Sequence, residues 1–270
     1  MLKDRKSTKI ILLVLVIVLM LIPGFRIFHL RGGLMRESRL TTVSSHYVDL
    51  GALHIKTTSG NIYIDHDDNA TGISLEATNA SASDGNTSNI ILSTVSDDIH
   101  IKVGSDHSVK EIRAENVSGD IHVNGAMLDV LDLSTISGNI IVENAIVSED
   151  LTIASTSGDI DVRGTESEKL YTSVKSGDLK IEGATADRLV LTSISGDMEI
   201  MNTAADEVRL TSTSGDTVFD AASTYSLEYS SVSGSVDTGS GNYKGSGLIG
   251  NPDATQKILF KSTSGNLDFI

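Results

Sequence analysis

The chain has 270 residues, 39% of them hydrophobic and only 4% aromatic, with no Trp, no Cys and a formal charge of −15. The missing cysteines exclude disulfide staples, zinc–thiolate centres and lipid attachment through a thiol. The acidic balance excludes nucleic acid as a natural partner, because a body of this sign repels a phosphate backbone.

Residues 1–9 form a short basic tail with Lys3, Arg5, Lys6 and Lys9, and an unbroken aliphatic run extends from Ile10 to Ile22. Lys9 to Phe25 supplies about 17 residues, the lower end of what a ~30 Å hydrocarbon core needs. Two readings fit a basic tail followed by an aliphatic run: a retained membrane anchor over 10–25 and a cleaved signal peptide. We expect the anchor, since the run exits through Pro23, Gly24, Phe25 and Arg26 with no small-x-small cleavage site. Arg26, Arg31, Arg36 and Arg39 make residues 26–40 a basic linker, so the count of flanking cations is a tie and does not orient the span. An N-terminal hydrophobic segment that directs export places the rest of the chain outside the cytoplasm, at the cell membrane. Eight of the 21 basic and two of the 36 acidic residues lie in 1–39, leaving the remainder with a net charge of −21.

From Ser59 to Asn266 one phrase recurs ten times, Ser-Gly-Asp or a near variant between alternating aliphatics. Its glycines are Gly60, Gly119, Gly138, Gly158, Gly177, Gly196, Gly215, Gly234 and Gly265, with Asp97 in the place of a further one. Between Gly119 and Gly234 the spacings are 19, 20, 19, 19, 19 and 19 residues, a period too tight for chance. Seven and five residues before the glycine stand pairs such as Leu131 and Leu133 or Leu189 and Leu191; two and four after it stand Ile140 and Val142 or Ile160 and Val162. Alternation with polar residues between is the mark of strands buried on one face. The buried parity changes across the phrase, so the chain must turn a corner there.

A 19-residue unit with four inward aliphatics cannot cover its own ordering cost and must stack on its neighbours. The expected fold is therefore all-β: a single parallel β-solenoid (β-helix) of about ten ~19-residue coils over residues 41–270, two main strands per coil. At ~4.8 Å per coil the stack would be on the order of 48 Å long.

The Ser-Gly-Asp/Asn-Ile-x-Val phrase at this spacing, behind one membrane span, resembles the putative-adhesin family of prokaryotic envelope proteins, also called toastrack β-repeat domains. The resemblance runs from about Thr41 to Ile270. It implies a β-solenoid, a cell-envelope setting and a link to envelope-stress systems, and it carries no catalytic motif onto these positions.

Four features are candidates for chemistry. Asp98, Asp120, Asp159, Asp178, Asp197 and Asp216 should stack at one corner, where calcium could relieve their repulsion; Asn139, Ser235 and Asn266 interrupt the column, and turn-forming residues are the expected role. The serine before each glycine is equally regular, and ten equivalent serines describe architecture, with hydroxyls tied to the turn backbone. His100 and His122 share an outward column on what the sequence presents as consecutive rungs, one rung beyond Tyr63, and two imidazoles alone are a weak metal site. Two interruptions, Asp65–Asn89 and Gly239–Lys257, are places for a partner. The first contains Asp65, His66, Asp67 and Asp68 and is long enough to hide a degenerate coil. The second contains Tyr243 and Lys244 within GSGNYKGSGLIG, and its Leu248 and Ile249 could cover the last rungs. That glycine-rich stretch lacks the Lys-Ser/Thr ending and the helix of a phosphate-binding loop.

No catalytic, cofactor-binding or metal residue and no cofactor is assigned. The sequence is read as a membrane-anchored, non-enzymatic adhesion, scaffold or sensing module with the lipid bilayer and a protein or cell-surface partner. The alternative is a polysaccharide-acting β-helix enzyme, which needs distinct acid and base groups in a cleft and commonly aromatic sugar platforms that this composition scarcely supplies.

Overall fold

The computed structural model describes residues 43–270 except the short stretches 48–49, 70–71, 78–80, 87–88, 96–97, 105–108 and 221–223. The expected anchor, basic tail and linker lie outside the described residues, as do Ser96 and Asp97 of one phrase. The described residues form 23 strands and no helix.

Each regular coil contains one long and one short strand. Met127–Ser137, Ile146–Ser157, Glu166–Ser176, Thr185–Ser195 and Ala204–Ser214 are long strands paired in parallel, each with the next. Ile140–Glu143, Ile160–Arg163, Leu179–Glu182 and Met198–Met201 are the short strands of a second parallel ladder. Equivalent positions stack: Leu133 pairs with Ile153, Ile153 with Thr172, Thr172 with Leu191 and Leu191 with Leu210, all buried. Ile140 and Val142 stack on Ile160 and Val162 in the facing wall. The all-β parallel architecture and its aliphatic interior are thus as the alternation requires. The one 20-residue spacing is absorbed as a β-bulge: Leu128 and Val130 align with Val147 and Asp150, so Ser148 and Glu149 together face one residue on either side.

Two corners close each coil. At the phrase, the glycine has a large positive φ, 145° at Gly158, and a Cβ there would overlap the Gly138 carbonyl one rung below. The second corner falls six residues later, at Gly125, Asn144, Gly164, Gly183 and Asn202, all with φ between 50° and 73°. That left-handed region is the one that glycine and asparagine enter most readily. Small residues come next inside the coil, namely Ala126, Ala145, Thr165, Ala184 and Thr203, so the walls converge at this edge.

The interior is not purely aliphatic. Three residues before the glycine lies a buried row of Thr57, Asn116, Thr135, Ser155, Val174, Ser193, Ser212, Ser231 and Ser262. Ser193, Ser212 and Ser262 donate to the carbonyls of Gly196, Gly215 and Gly265 at 3.1–3.2 Å, and the Asn116 amide donates to the Gly60 carbonyl at 2.8 Å. These inward groups tie down the corner. The flanking serines expected to do so, such as Ser157, Ser176 and Ser195, are exposed.

Rung order departs from chain order at both ends. Leu50–Ser59 pairs with Val109–Ser118 on one side and Asn89–Thr94 on the other, so the second coil lies outside the first. Residues between them form antiparallel strands in place of the degenerate coil expected there: Ile73–Ala77 pairs with Ile99–Gly104, and Ser81–Asn86 pairs with Asn89–Thr94. Val43–Tyr47 pairs antiparallel with Ile73–Ala77 at the edge of the short-strand ladder. At the other end, Gln256–Ser264 is inserted between Ala204–Ser214 and Tyr225–Asp237. Leu267–Phe269 likewise lies between Thr217–Phe219 and the end of Tyr225–Asp237. Spacing alone does not set rung order: the Gly234 phrase follows the Gly215 phrase at the regular 19 residues, yet Gln256–Ser264 lies between their long strands.

Candidate functional site

The phrase corner carries the most regular chemistry in the molecule. Asp98 Oδ1 accepts the Asn61 backbone N–H at 2.7 Å, Asn61 Oδ1 that of Asp120 at 2.9 Å, and Asp120 Oδ1 that of Asn139 at 2.7 Å. The relay continues through Asn139, Asp159, Asp178 and Asp197 to Asp216, at 2.8–2.9 Å per step. It then passes to Asn266 and from there to Ser235, at 2.9 and 3.1 Å. Each acidic or amide side chain therefore holds the backbone of the next rung, which is why Asn substitutes freely for Asp. Among the described residues, no three His, Cys, Asp or Glu converge as a metal ion would require. Among the described residues the serine column is exposed at each rung, with no neighbouring imidazole in the regular region.

Tyr63, His100 and His122 do share one outward column, in an order different from that expected. Tyr63 pairs with His100 on one side and His122 on the other, because the second coil lies outside the first. The tyrosine ring stacks between the two imidazoles, with centroids 4.7 and 5.2 Å away. The histidines are thus two rungs apart and separated by a ring, so they do not chelate one ion. Nearby, His66 Nε2 meets Asp68 at 2.9 Å and Lys102 meets Asp67 at 3.9 Å, so part of the Asp65–Asp68 segment is engaged in surface ion pairs.

Cations are matched to carboxylates across rungs. Lys56 meets Glu115, Arg113 meets Asp132, Lys169 meets Asp150 and Arg188 meets Glu207, each at 3.4 Å or closer. Arg163 reaches both Glu143 one rung below and Asp161 on its own strand. Such exposed pairs contribute only ~0–1 kcal/mol each, but opposite charges facing each other favour this register over its neighbours. Burial raises the Asp132 carboxyl above the usual aspartate range, with Arg113 working against that rise. Burial also pushes at Glu207, yet hydrogen bonds from Arg209 and Arg188 prevail and hold it below the usual glutamate range.

The C-terminal end differs from every other part. Phe219, Tyr225, Tyr229, Tyr243, Phe260 and Phe269, six of the chain's 11 aromatic residues, gather there. Phe269 stacks on Tyr225 at 4.9 Å and meets Phe219 edge-on at 5.7 Å. Tyr229 lies beneath Gly247, where a Cβ would touch its ring. The interruption expected to cover the last rungs does so as a strand: Asn242–Gly250 pairs antiparallel with Tyr225–Asp237. Ile249 and Tyr243 pack against the core, whereas Leu248 is 71% exposed.

Side chains that carry chemistry are thus distributed along rungs, which defines the class of protein as a parallel β-solenoid repeat body. The chain belongs to the Toastrack DUF4097 family, which it matches over residues 81–269, in agreement with the resemblance carried by the repeated phrase. Its fold is similar to that of a putative adhesin from Bacteroides fragilis, with a TM-score of 0.53 and 17% identity over 88% of this chain and all of that one. A putative lipid binding protein from Parabacteroides distasonis has a TM-score of 0.51 and 14% identity over 87% of this chain and 98% of that one. At these identities the likeness is one of fold. No curated protein matches the sequence significantly.

Proposed function

We propose that this chain is a non-enzymatic adhesion or scaffold module of the cell envelope, held at the membrane by residues 10–25 with the solenoid outside the cytoplasm. The observation that carries this reading is the corner relay: the repeated carboxylates and amides are committed to holding successive rungs. An enzyme needs one activated group set apart from its copies. The fold shared with a putative adhesin agrees with this reading. An acidic solenoid stands off anionic lipid and meets its protein or cell-surface partner at a distance from the bilayer. A sensing role linked to envelope stress is part of the same proposal, since a rigid repeat body on a single span can couple an outside contact to a membrane partner.

Full-length chain displayed on cells tests it. Attachment or partner capture should be lost when residues 41–270 are removed, and externally added protease should reach the solenoid only if it is exported. Turnover of an acidic or neutral glycan by the purified chain, abolished by changing one carboxylate, would establish the polysaccharide-acting alternative instead.

A further inference from the structure

The outer face of the long-strand wall changes sign along the stack, and we infer that its C-terminal half is a docking surface for an acidic polysaccharide, a linear glycan bearing carboxylates. Five strands make this half, in spatial order Glu166–Ser176, Thr185–Ser195, Ala204–Ser214, Gln256–Ser264 and Tyr225–Asp237. Their outward residues include Lys169, Lys175, Arg188, Arg209, Lys257 and Lys261, against two acids, Glu207 and Glu228. Six of the 13 basic residues in 40–270 and two of the 34 acidic ones fall on this patch, so a body of net −21 carries an island of +4. The preceding strands Val109–Ser118, Met127–Ser137 and Ile146–Ser157 show the opposite balance at the same positions, where Arg113 alone stands against Glu111, Glu115, Asp132 and Asp150.

Two cations of the island are free to meet a ligand. Glu207 holds both Arg188 and Arg209, at 3.0 and 2.7 Å, and Lys169 meets Asp150 and Glu168. Lys175 and Lys261 are exposed and have no carboxylate partner among the described residues. They bracket a row of hydroxyls: Ser173 pairs with Thr192, Thr192 with Thr211 and Thr211 with Lys261, while Lys175 stands two residues beyond Ser173 on the same outward face. Three rungs at ~4.8 Å put the strands that carry the two lysines about 14 Å apart. Hydroxyls both donate and accept, which suits a hydroxyl-rich chain, and the half-buried Tyr171 adds an aromatic surface beside them for a sugar ring.

The borders of the island select a narrow partner. Exposed Asp178, Asp197 and Asp216 line the phrase corner on one side, and exposed Glu168, Asp187 and Asp206 stand near the starts of the same strands on the other. A broad anionic surface such as a bilayer would meet both acidic borders; one glycan strand laid along the hydroxyl row stays between them. The acids of the facing wall lie ~10 Å or more behind, beyond the Debye length of ~8 Å at physiological salt.

This inference names the partner class of the adhesion reading and rests on it. Purified full-length chain in detergent, titrated with a fluorescent polygalacturonate oligomer at low salt, should bind it and should ignore a neutral dextran oligomer. Raising ionic strength should weaken the binding, by screening the lysines. Lys175→Gln with Lys261→Gln should lose about tenfold in affinity, with an unchanged melting temperature. Lys110→Gln with Lys180→Gln removes the same charge elsewhere and should change affinity less than about twofold. No binding of polygalacturonate at low salt, equal binding of dextran, equal losses in the two double variants, or tighter binding of anionic vesicles or of a DNA duplex would each overturn the assignment. Capture of glycan is read in solution and attachment on displayed cells. Attachment by a chain that ignores polygalacturonate would therefore strike the glycan and leave adhesion standing, and capture without attachment would do the reverse.

Discussion

The middle rungs and the C-terminal end use the same phrase under different rules. From Gly119 to Gly215 each coil rests on its predecessor, every wall position repeats, and the corner relay runs in chain order. At the C-terminal end the last coil in sequence is the penultimate rung in space, aromatics replace aliphatics inside, and an antiparallel strand closes the sheet. The repeat therefore specifies how a rung packs but not which rung it packs on. Neighbour choice is not set by the spacing, since Gly215 and Gly234 stand 19 residues apart and yet their coils are separated by the inserted rung; it falls to residues that fit only at an end.

Removing one coil from each region puts this contrast to its severest test. Deleting residues 158–176, one whole period, should leave a cooperatively folded, shorter stack with a reduced melting temperature, because Ser157 then leads into an equivalent glycine. Deleting residues 256–270, a smaller piece at the chain terminus, should abolish the cooperative melt, because it withdraws an interior rung and its buried Ile258, Phe260 and Leu267. Thermal denaturation followed by circular dichroism reads both, and retention of a sharp transition in the second variant would contradict the inserted order.

Next in size are the glycines. Gly158→Ala adds a Cβ against the Gly138 carbonyl at a φ of 145° and should cost about 3 kcal/mol or more. Gly239→Ala, in the end loop at φ 71° with nothing near the added carbon, should cost only the left-handed penalty of ~1–2 kcal/mol. Denaturant titration of the two variants would measure the gap.

The corner relay should respond to chemistry in a smaller range. Asp178→Ala removes the acceptor for the Asp197 N–H and should cost about 1 kcal/mol. Asp178→Asn keeps an acceptor and removes one of four consecutive like charges, so it should be neutral or stabilising; Asn139 makes the same bond in the native column. Equal destabilisation by both variants would show that the relay oxygen does not hold the next rung.

The smallest expected effect is a pH slope. The folded chain raises the Asp132 carboxyl, so it binds that proton more tightly than the unfolded chain does. Stability from this group is therefore highest at low pH and declines as pH rises from the ordinary aspartate value through the raised one. Asp132→Asn should lose that decline, gaining on the parent as pH rises from the ordinary aspartate value through the raised one and holding a constant difference above. Melting curves across this range check the sign.

Much of this was legible in the residues. Leu131, Leu133, Ile140 and Val142 announce two walls and a corner, and the 19-residue period announces their stacking. The second corner was signalled by a glycine or asparagine six residues after the phrase, a weaker mark because Gly125, Asn144 and Arg163-Gly164 share no common word. The inward Ser/Thr row was hidden by polarity: Thr135, Ser155 and Ser193 read as solvent-facing until the backbone shows them beneath the corner. The position of Tyr63 between two histidines could not be read at all, since equivalent coils offer equivalent edges and only the path of residues 65–98 decides which is used. For the candidate site, the Asp column was visible as a column, while its function as a relay depended on a side-chain oxygen meeting the next rung's N–H.

The inserted final coil bears on how the protein is made. A chain emerging residue by residue can wind its middle rungs as they appear, but the slot between Ala204–Ser214 and Tyr225–Asp237 is filled only by residues 256–264. Until those residues arrive, the slot stays open, with unsatisfied strand edges and uncovered aromatic rings. The two strands that border it must therefore wait for a segment made after both of them.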